Sequence, residues 1–167
     1  VRELIDNAID SGADEISVYV NGGGVERIRV VDNGIGMTPE DLEICILPHA
    51  TSKIAKTEDI YSIDTLGFRG EALSSIASCS KLAITSTYKE TPEEGRSITV
   101  HAGKLLSSSP APAREGTTVE VSDLFYSLPG RRKFLKRVSS ESQACKQAFI
   151  EKALPFPEVT FRYFSDD

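Results

Sequence analysis

Three consecutive glycines, Gly22-Gly23-Gly24, separate two segments that alternate apolar and polar residues, and this pattern restricts the fold more than any other stretch of the chain. Ahead of them Ile16-Ser17-Val18-Tyr19-Val20 reads as a strand with one buried face; behind them Glu26-Arg27-Ile28-Arg29-Val30-Val31 reads the same way. With Asn21 the glycines form a turn, so the two strands make a hairpin. Upstream, Leu4, Ile5, Ala8 and Ile9 recur at helical spacing while Glu3, Asp6, Asn7 and Asp10 fall on other faces. This predicts an amphipathic helix that stops near Gly12 and feeds the hairpin.

Downstream, Thr38-Pro39-Glu40-Asp41-Leu42 predicts a second helix, with Thr38 as N-cap and Pro39 in the first helical position. Residues 48–66 show weak periodicity and many polar side chains, and read as a mobile loop with a helical turn around 57–61. Gly67-Phe68-Arg69-Gly70 then opens a helix at 71–77. Strands are expected at 82–88, 97–102, 104–107 and 117–121, with a turn at 92–95 and a Pro/Ser-rich bend at 107–112. A helix at 141–154 and a strand at 159–164 complete the chain. Hairpin-linked strands mixed with helices imply an α+β fold.

With 167 residues the chain is long enough for one well-cored domain. No apolar run approaches the roughly 20 residues that span a bilayer, and acids at Glu3 and Asp6 stand where a signal peptide is apolar. A soluble protein with no membrane association is expected. Cys45, Cys79 and Cys145 are odd in number and widely spaced, which argues against a disulfide framework and a zinc site and fits a reducing compartment. His49 and His101 stand apart from each other and from the cysteines, and read as structural. A net charge of −6 disfavours wholesale nucleic-acid coating, although Arg131-Arg132-Lys133 with Lys136 and Arg137 is a compact basic run that suits DNA phosphates or, the favoured reading, a solvated loop. The chain begins already inside a helical pattern, without a starting methionine or an N-cap residue. We therefore expect a fragment, residues 1–167 being a single domain whose true N-terminus is missing.

Glu3 and Asn7 lie one helical turn apart, so both project from one face. A carboxylate that orients or deprotonates water, beside an amide oxygen that completes a magnesium shell, suits metal-assisted ATP hydrolysis. Alone, such a pair is more common on a plain solvated helix face. Asp32-Asn33-Gly34-Ile35-Gly36 follows a strand; a buried carboxylate there accepts the exocyclic amine of adenine, and two glycines let main chain approach the ring, although an ordinary strand-to-turn is an equal reading. In Gly67-Phe68-Arg69-Gly70-Glu71-Ala72-Leu73, glycines expose backbone N–H groups at a helix start, where the dipole favours phosphate; a plain helix entry is the alternative. It lacks the lysine and spacing of a P-loop. Thr51, Ser52 and Lys53 offer hydroxyls and an ammonium to the same phosphates, and Gly116-Thr117 opens a strand and offers a hydroxyl to the base, although such a strand start is common and nearly uninformative alone.

In this order the motifs resemble the four nucleotide-binding motifs of the superfamily that contains gyrase, the heat-shock chaperones, the histidine kinases and MutL. Pro48-His49-Ala50-Thr51-Ser52-Lys53, Leu66-Gly67-Phe68-Arg69-Gly70-Glu71-Ala72-Leu73 and Asp123-Leu124-Phe125-Tyr126 through Arg131-Arg132-Lys133-Phe134-Leu135 are similar to the MutL branch. The chain departs from the usual pattern at Ser127-Leu128-Pro129-Gly130, where Asn-Thr-Pro-Ala is frequent, and at Asp6 and Ile9, where Glu and Leu are.

The resemblance implies a two-layer, Bergerat-type sandwich: a mixed, mostly antiparallel sheet with helices on one face and a left-handed βαβ crossover. It implies ATP and magnesium, with Glu3 as general base, Asn7 as magnesium ligand, and Asp32 on adenine in a pocket shaped by Gly34 and Gly36 and lined by Thr117. Thr51, Ser52 and Lys53 meet the nucleotide from a lid, and Gly67, Phe68, Arg69, Gly70, Glu71, Ala72 and Leu73 wrap the phosphates. The function implied is an ATP-gated clamp and slow ATPase of DNA mismatch repair. It would pair as a homo- or heterodimer through its N-terminal region, work with a MutS-type mismatch-recognition protein, and touch DNA mainly through parts outside this stretch. The location implied is cytoplasmic in a bacterium, the favoured source, and nuclear in a eukaryote. Without the preceding segment and the following domain, weak ATP binding and little hydrolysis are expected of these residues alone. Topoisomerase subunits, chaperones and histidine-kinase catalytic domains are the alternatives. The last is disfavoured by Phe68-Arg69-Gly70-Glu71 and by a water-activating Glu3 that phosphotransfer does not need.

Overall fold

The computed structural model describes residues 1–47 and 71–166. The predicted loop at 48–66, the glycines that open the third helix and His49 lie outside the described residues. Helix α1 (Arg2–Asp10) is followed by β1 (Glu15–Asn21) and β2 (Arg27–Asp32), then α2 (Pro39–Ile44), α3 (Ala72–Cys79), β3 (Lys81–Thr87), β4 (Arg96–His101), β5 (Lys104–Pro110), β6 (Gly116–Ser122), α4 (Pro129–Arg132), α5 (Val138–Ala153) and β7 (Thr160–Ser165). The strands form one sheet in the order β5-β4-β3-β6-β2-β1-β7. Every neighbouring pair is antiparallel except β1 and β7.

Period-2 alternation sets what the sheet buries, because side chains in register share a face. Val18, Val30, Val119, Ile84 and Ile98 make one row across five strands, and Val20, Ile28, Val121, Leu82 and Val100 the next. Helices close over these rows with Leu4, Ile5 and Ala8 of α1, Leu42 of α2 and Ala77 of α3, all buried. Each fully buried Leu, Ile or Val contributes about 1.5–3 kcal/mol, so this shared layer holds sheet and helices as a unit. Phe149 of α5 extends it over β7, meeting Phe161 edge-on at 5.9 Å and Tyr163 at 5.0 Å. On the opposite face Tyr19 stacks on Phe164 at 4.7 Å, with the Arg29 guanidinium 5.8 Å from the Tyr19 ring.

Several local expectations change. The triple glycine forms a 3-10 turn rather than a plain hairpin loop, with φ of 55°, 63° and 80° at its three residues. A Cβ on Gly23 would lie 2.8 Å from the Val138 carbonyl oxygen, so this turn seats the start of α5. Strand β5 runs on through Pro110, displacing the bend expected at 107–112, because it stays paired with β4 as far as Arg96↔Pro110. Arg131 and Arg132 of the basic run lie in the short helix α4 rather than in a loop, although the run is exposed as expected.

Candidate functional site

At one end of the sheet the buried face turns polar. Where the rows above would continue with aliphatic residues, Asp32 lies opposite Ile16 and Ser86 opposite Thr117. Alternation forces all three polar side chains inward, and they are buried with exposures of 8% for Asp32, 8% for Thr117 and 1% for Ser86. A polar group in that position costs free energy unless it is paired. The Asp32 carboxylate accepts the Gly34 amide at 2.9 Å and the Thr117 amide at 3.2 Å, both through Oδ1. The Ser86 hydroxyl lies 2.8 Å from the Thr117 hydroxyl and accepts the Met37 amide at 2.9 Å. Burial lifts the Asp32 carboxyl from 3.8 to about 6, outweighing the hydrogen bonds from Gly34, Thr117 and Ser11 that pull it down.

The two glycines after β2 pack against their neighbours in the fold. A Cβ on Gly34 would lie 1.8 Å from the Ser11 hydroxyl oxygen, and one on Gly36 2.0 Å from the Thr87 carbonyl oxygen. Their missing side chains face protein, letting the loop after β2 close against α1 on one side and the end of β3 on the other. Gly116, with φ of +83°, sits so that a Cβ would come within 2.1 Å of the Asp32 carbonyl oxygen.

Helix α1 carries the other predicted chemistry. Opposite its buried stripe of Leu4, Ile5 and Ala8 run two neighbouring polar strips. One holds Arg2 and Asp6; the other holds Glu3, Asn7 and, at the C-cap, Ser11, each four residues apart. Ser11 anchors the second strip beside the carboxylate: its carbonyl accepts the Ile35 amide at 3.0 Å, and its side chain abuts Gly34. Asn7 is half-buried one turn away, and Glu3 is exposed two turns away, about 12 Å along the axis from Ser11 at 1.5 Å per residue. The strip thus runs from a buried acceptor to an exposed acid. The amide oxygen of Asn7 with the Glu3 carboxylate nearby is a hard-oxygen donor set that fits magnesium, which takes few protein ligands and completes its shell with phosphates and water.

The predicted residues therefore separate into groups. Asp32, Gly34, Gly36 and Thr117 converge, and Asn7 and Glu3 follow from them along α1. Glu71 is the N-cap residue of α3, with Ala72 and Leu73 in its first turn; Leu73 also packs on the core. Thr51, Ser52, Lys53, Gly67, Phe68, Arg69 and Gly70 lie outside the described residues. Ser86 and Ser11 were not singled out from the sequence, and Gly116 only as the residue before Thr117 at a strand start. A signal for Ser86 was present, since it continues the inward phase of Leu82 and Ile84. The cysteines are free, and no group of three or more His, Cys, Asp or Glu side chains placed for a metal ion occurs among the described residues. Nor is any helix among them long and apolar enough to cross a membrane.

Residues 1–120 match the family described as histidine kinase-, DNA gyrase B-, and HSP90-like ATPase. The chain belongs to that ATPase family. Within it, the similarity is to MutL: 47% identity over 96% of the chain with the DNA mismatch repair protein MutL of Borreliella afzelii, and 48% over 99% with that of Elusimicrobium minutum. The chain spans about a quarter of the length of these relatives, 26% and 27%. The fold superposes with a TM-score of 0.80 and 36% identity on the Aquifex aeolicus MutL ATPase domain complexed with ADP, covering 99% of this chain and 57% of that one. The mixed, mostly antiparallel sheet with its helices is therefore the ATPase fold of this family.

Proposed function

We propose that this chain is the ATP-binding domain of a MutL-type mismatch-repair protein, a slow ATPase that uses nucleotide binding to close a clamp. The observation that carries this reading is the buried, poorly solvated Asp32 carboxylate, held by the Gly34 and Thr117 amides and connected through Ser11 to the Asn7–Glu3 strip. The ADP held by the Aquifex aeolicus domain of the same fold supports an adenine nucleotide as ligand.

In this reading Asp32 accepts the exocyclic amine of adenine, with Thr117 and Ser86 lining the base pocket. Along α1, Asn7 holds magnesium, which when bound screens the phosphate charge. Glu3, exposed at the far end, orients and deprotonates the attacking water. Thr51, Ser52 and Lys53 close from a lid, while Gly67, Phe68, Arg69 and Gly70 with Glu71, Ala72 and Leu73 present amides to the phosphates. Ordering of those segments by nucleotide favours one conformation over another, which is how binding energy drives two N-terminal regions together. The parent protein works as a homo- or heterodimer with a MutS-type partner in the bacterial cytoplasm, with DNA held mainly by other parts of the molecule.

The test is magnesium-dependent ATP turnover by the full-length parent, together with crosslinking of its N-terminal regions with and without a non-hydrolysable ATP analogue. Slow turnover and analogue-dependent crosslinking are expected. Turnover without any nucleotide-dependent association would leave an ATPase but remove the clamp.

A further inference from the structure

We propose that Lys152 of α5 is a positioning residue for the hydrolytic strip of α1, acting through Asp6; this rests on the assignment of Glu3 and Asn7 above. The Lys152 ammonium lies 2.7 Å from Asp6 Oδ2. Asp6 is 6% exposed, and its Oδ1 is buried without a hydrogen-bond partner among the described residues. Compensation of that buried charge therefore comes through Oδ2 and Lys152. One turn back along α1, Arg2 pairs with Glu151, which also accepts the Gln147 side-chain amide at 3.1 Å. Helix α5 thus grips the Arg2–Asp6 strip of α1 at two successive turns.

That grip matters for chemistry because it adds, to the packing of Leu4, Ile5 and Ala8, a restraint on the polar side of α1. The helix is nine residues long, and its N-cap supplies no side-chain hydrogen bond. Asp6 is adjacent to Asn7 and one turn beyond Glu3, in the neighbouring strip. Fixing Asp6 fixes the direction in which Glu3 and Asn7 face. Were Lys152 lost, the stranded carboxylate would turn toward water, and the helix would rotate with it. The base pocket at Asp32 lies at the other end of the strip and would be disturbed little. Small errors in placing a catalytic group cost rate far more than affinity.

The experiment uses the full-length parent and four variants: Lys152→Met, Lys152→Arg, the double variant Asp6→Asn/Lys152→Met, and Glu3→Ala as control. Lys152→Met should lower kcat about tenfold or more while KM for ATP changes less than about twofold. Lys152→Arg, which keeps a cation in reach, should retain most of kcat. The double variant leaves no buried charge, so it should regain melting temperature without regaining kcat. It also keeps the proposal open to test if Lys152→Met does not fold. A double variant whose kcat returns with its stability would show that the pair only holds the fold, and would overturn the proposal. So would a Lys152→Met protein with wild-type kcat, or one whose kcat and affinity fall together. The control separates two failures: unimpaired turnover in Glu3→Ala removes the assignment beneath the proposal, whereas an impaired Glu3→Ala beside an unaffected Lys152→Met removes the proposal alone.

Discussion

The Thr117 amide donates to Asp32 Oδ1 at 3.2 Å across 85 residues of sequence. This one bond ties the start of β6 to the end of β2 where the sheet's buried face changes from aliphatic to polar. The surroundings of Asp32 raise the cost of keeping the group charged.

That cost has a measurable sign. The folded-state value for Asp32 is raised from 3.8 to about 6, so its contribution favours the fold below about pH 4 and is lost as pH rises through 6. At neutral pH the ionised side chain opposes folding by up to about 3 kcal/mol. Replacing Asp32 by Asn should raise the melting temperature at pH 7.5, with the gain shrinking toward pH 4, while ATP affinity measured by calorimetry falls. A variant that is less stable than wild type at pH 7.5 would show that the carboxylate contributes to the fold itself.

Glu3 is exposed and distant from the base pocket. In the full-length parent Glu3→Ala should keep ATP binding but slow hydrolysis by about two to four powers of ten. Single-turnover kinetics with bound nucleotide would check this, and unchanged turnover would exclude Glu3 from water activation.

Ser86→Ala deprives the buried Thr117 hydroxyl and the Met37 amide of a partner. Leaving such groups unsatisfied costs about 1–3 kcal/mol, so chemical denaturation should show a loss in that range. Ser86→Thr keeps the hydroxyl and should lose less.

Gly116→Ala should be more damaging. The added Cβ meets the Asp32 carbonyl oxygen at 2.1 Å, and φ of +83° is one that side chains rarely adopt. A loss of more than about 2 kcal/mol is expected, together with weakened ATP binding. Wild-type denaturation would show that β6 can start elsewhere.

Arg131 and Arg132 lie in α4 and are exposed. Their joint replacement by Ala should change nucleotide affinity little in a calorimetric titration. A large drop would mean that the basic run supports the ATP site.

Legibility in the sequence followed the physics that dominates each stretch. Helix α1 and the hairpin were readable because one buried face imposes a period on each. The Ser/Pro composition at 107–112 pointed to a bend, but pairing with β4 outweighed that preference, and an edge strand tolerates Pro110. Helix α5 starts at Val138, three residues before the expected 141, and Arg137 at its N-cap gives no side-chain cap to signal that start. Asp32 and Thr117 stand out in the sequence as motif residues, whereas Ser86 does not. A serine in a strand reads as outward until its phase with Leu82 and Ile84 is counted. The spacing of Glu3 and Asn7 was visible, but that Ser11 anchors their strip beside Asp32 depends on contacts across the fold.

The central claim is that Asp32 recognises the amino group of adenine, and competition between ATP and inosine triphosphate tests it most directly. Inosine carries a carbonyl where adenine carries the amine, so a carboxylate there meets an acceptor in place of a donor. Wild-type parent protein should bind ATP about 100-fold or more tightly than inosine triphosphate, and Asp32→Asn should reduce that ratio to near one. Equal affinity of the wild-type protein for the two nucleotides would contradict the account.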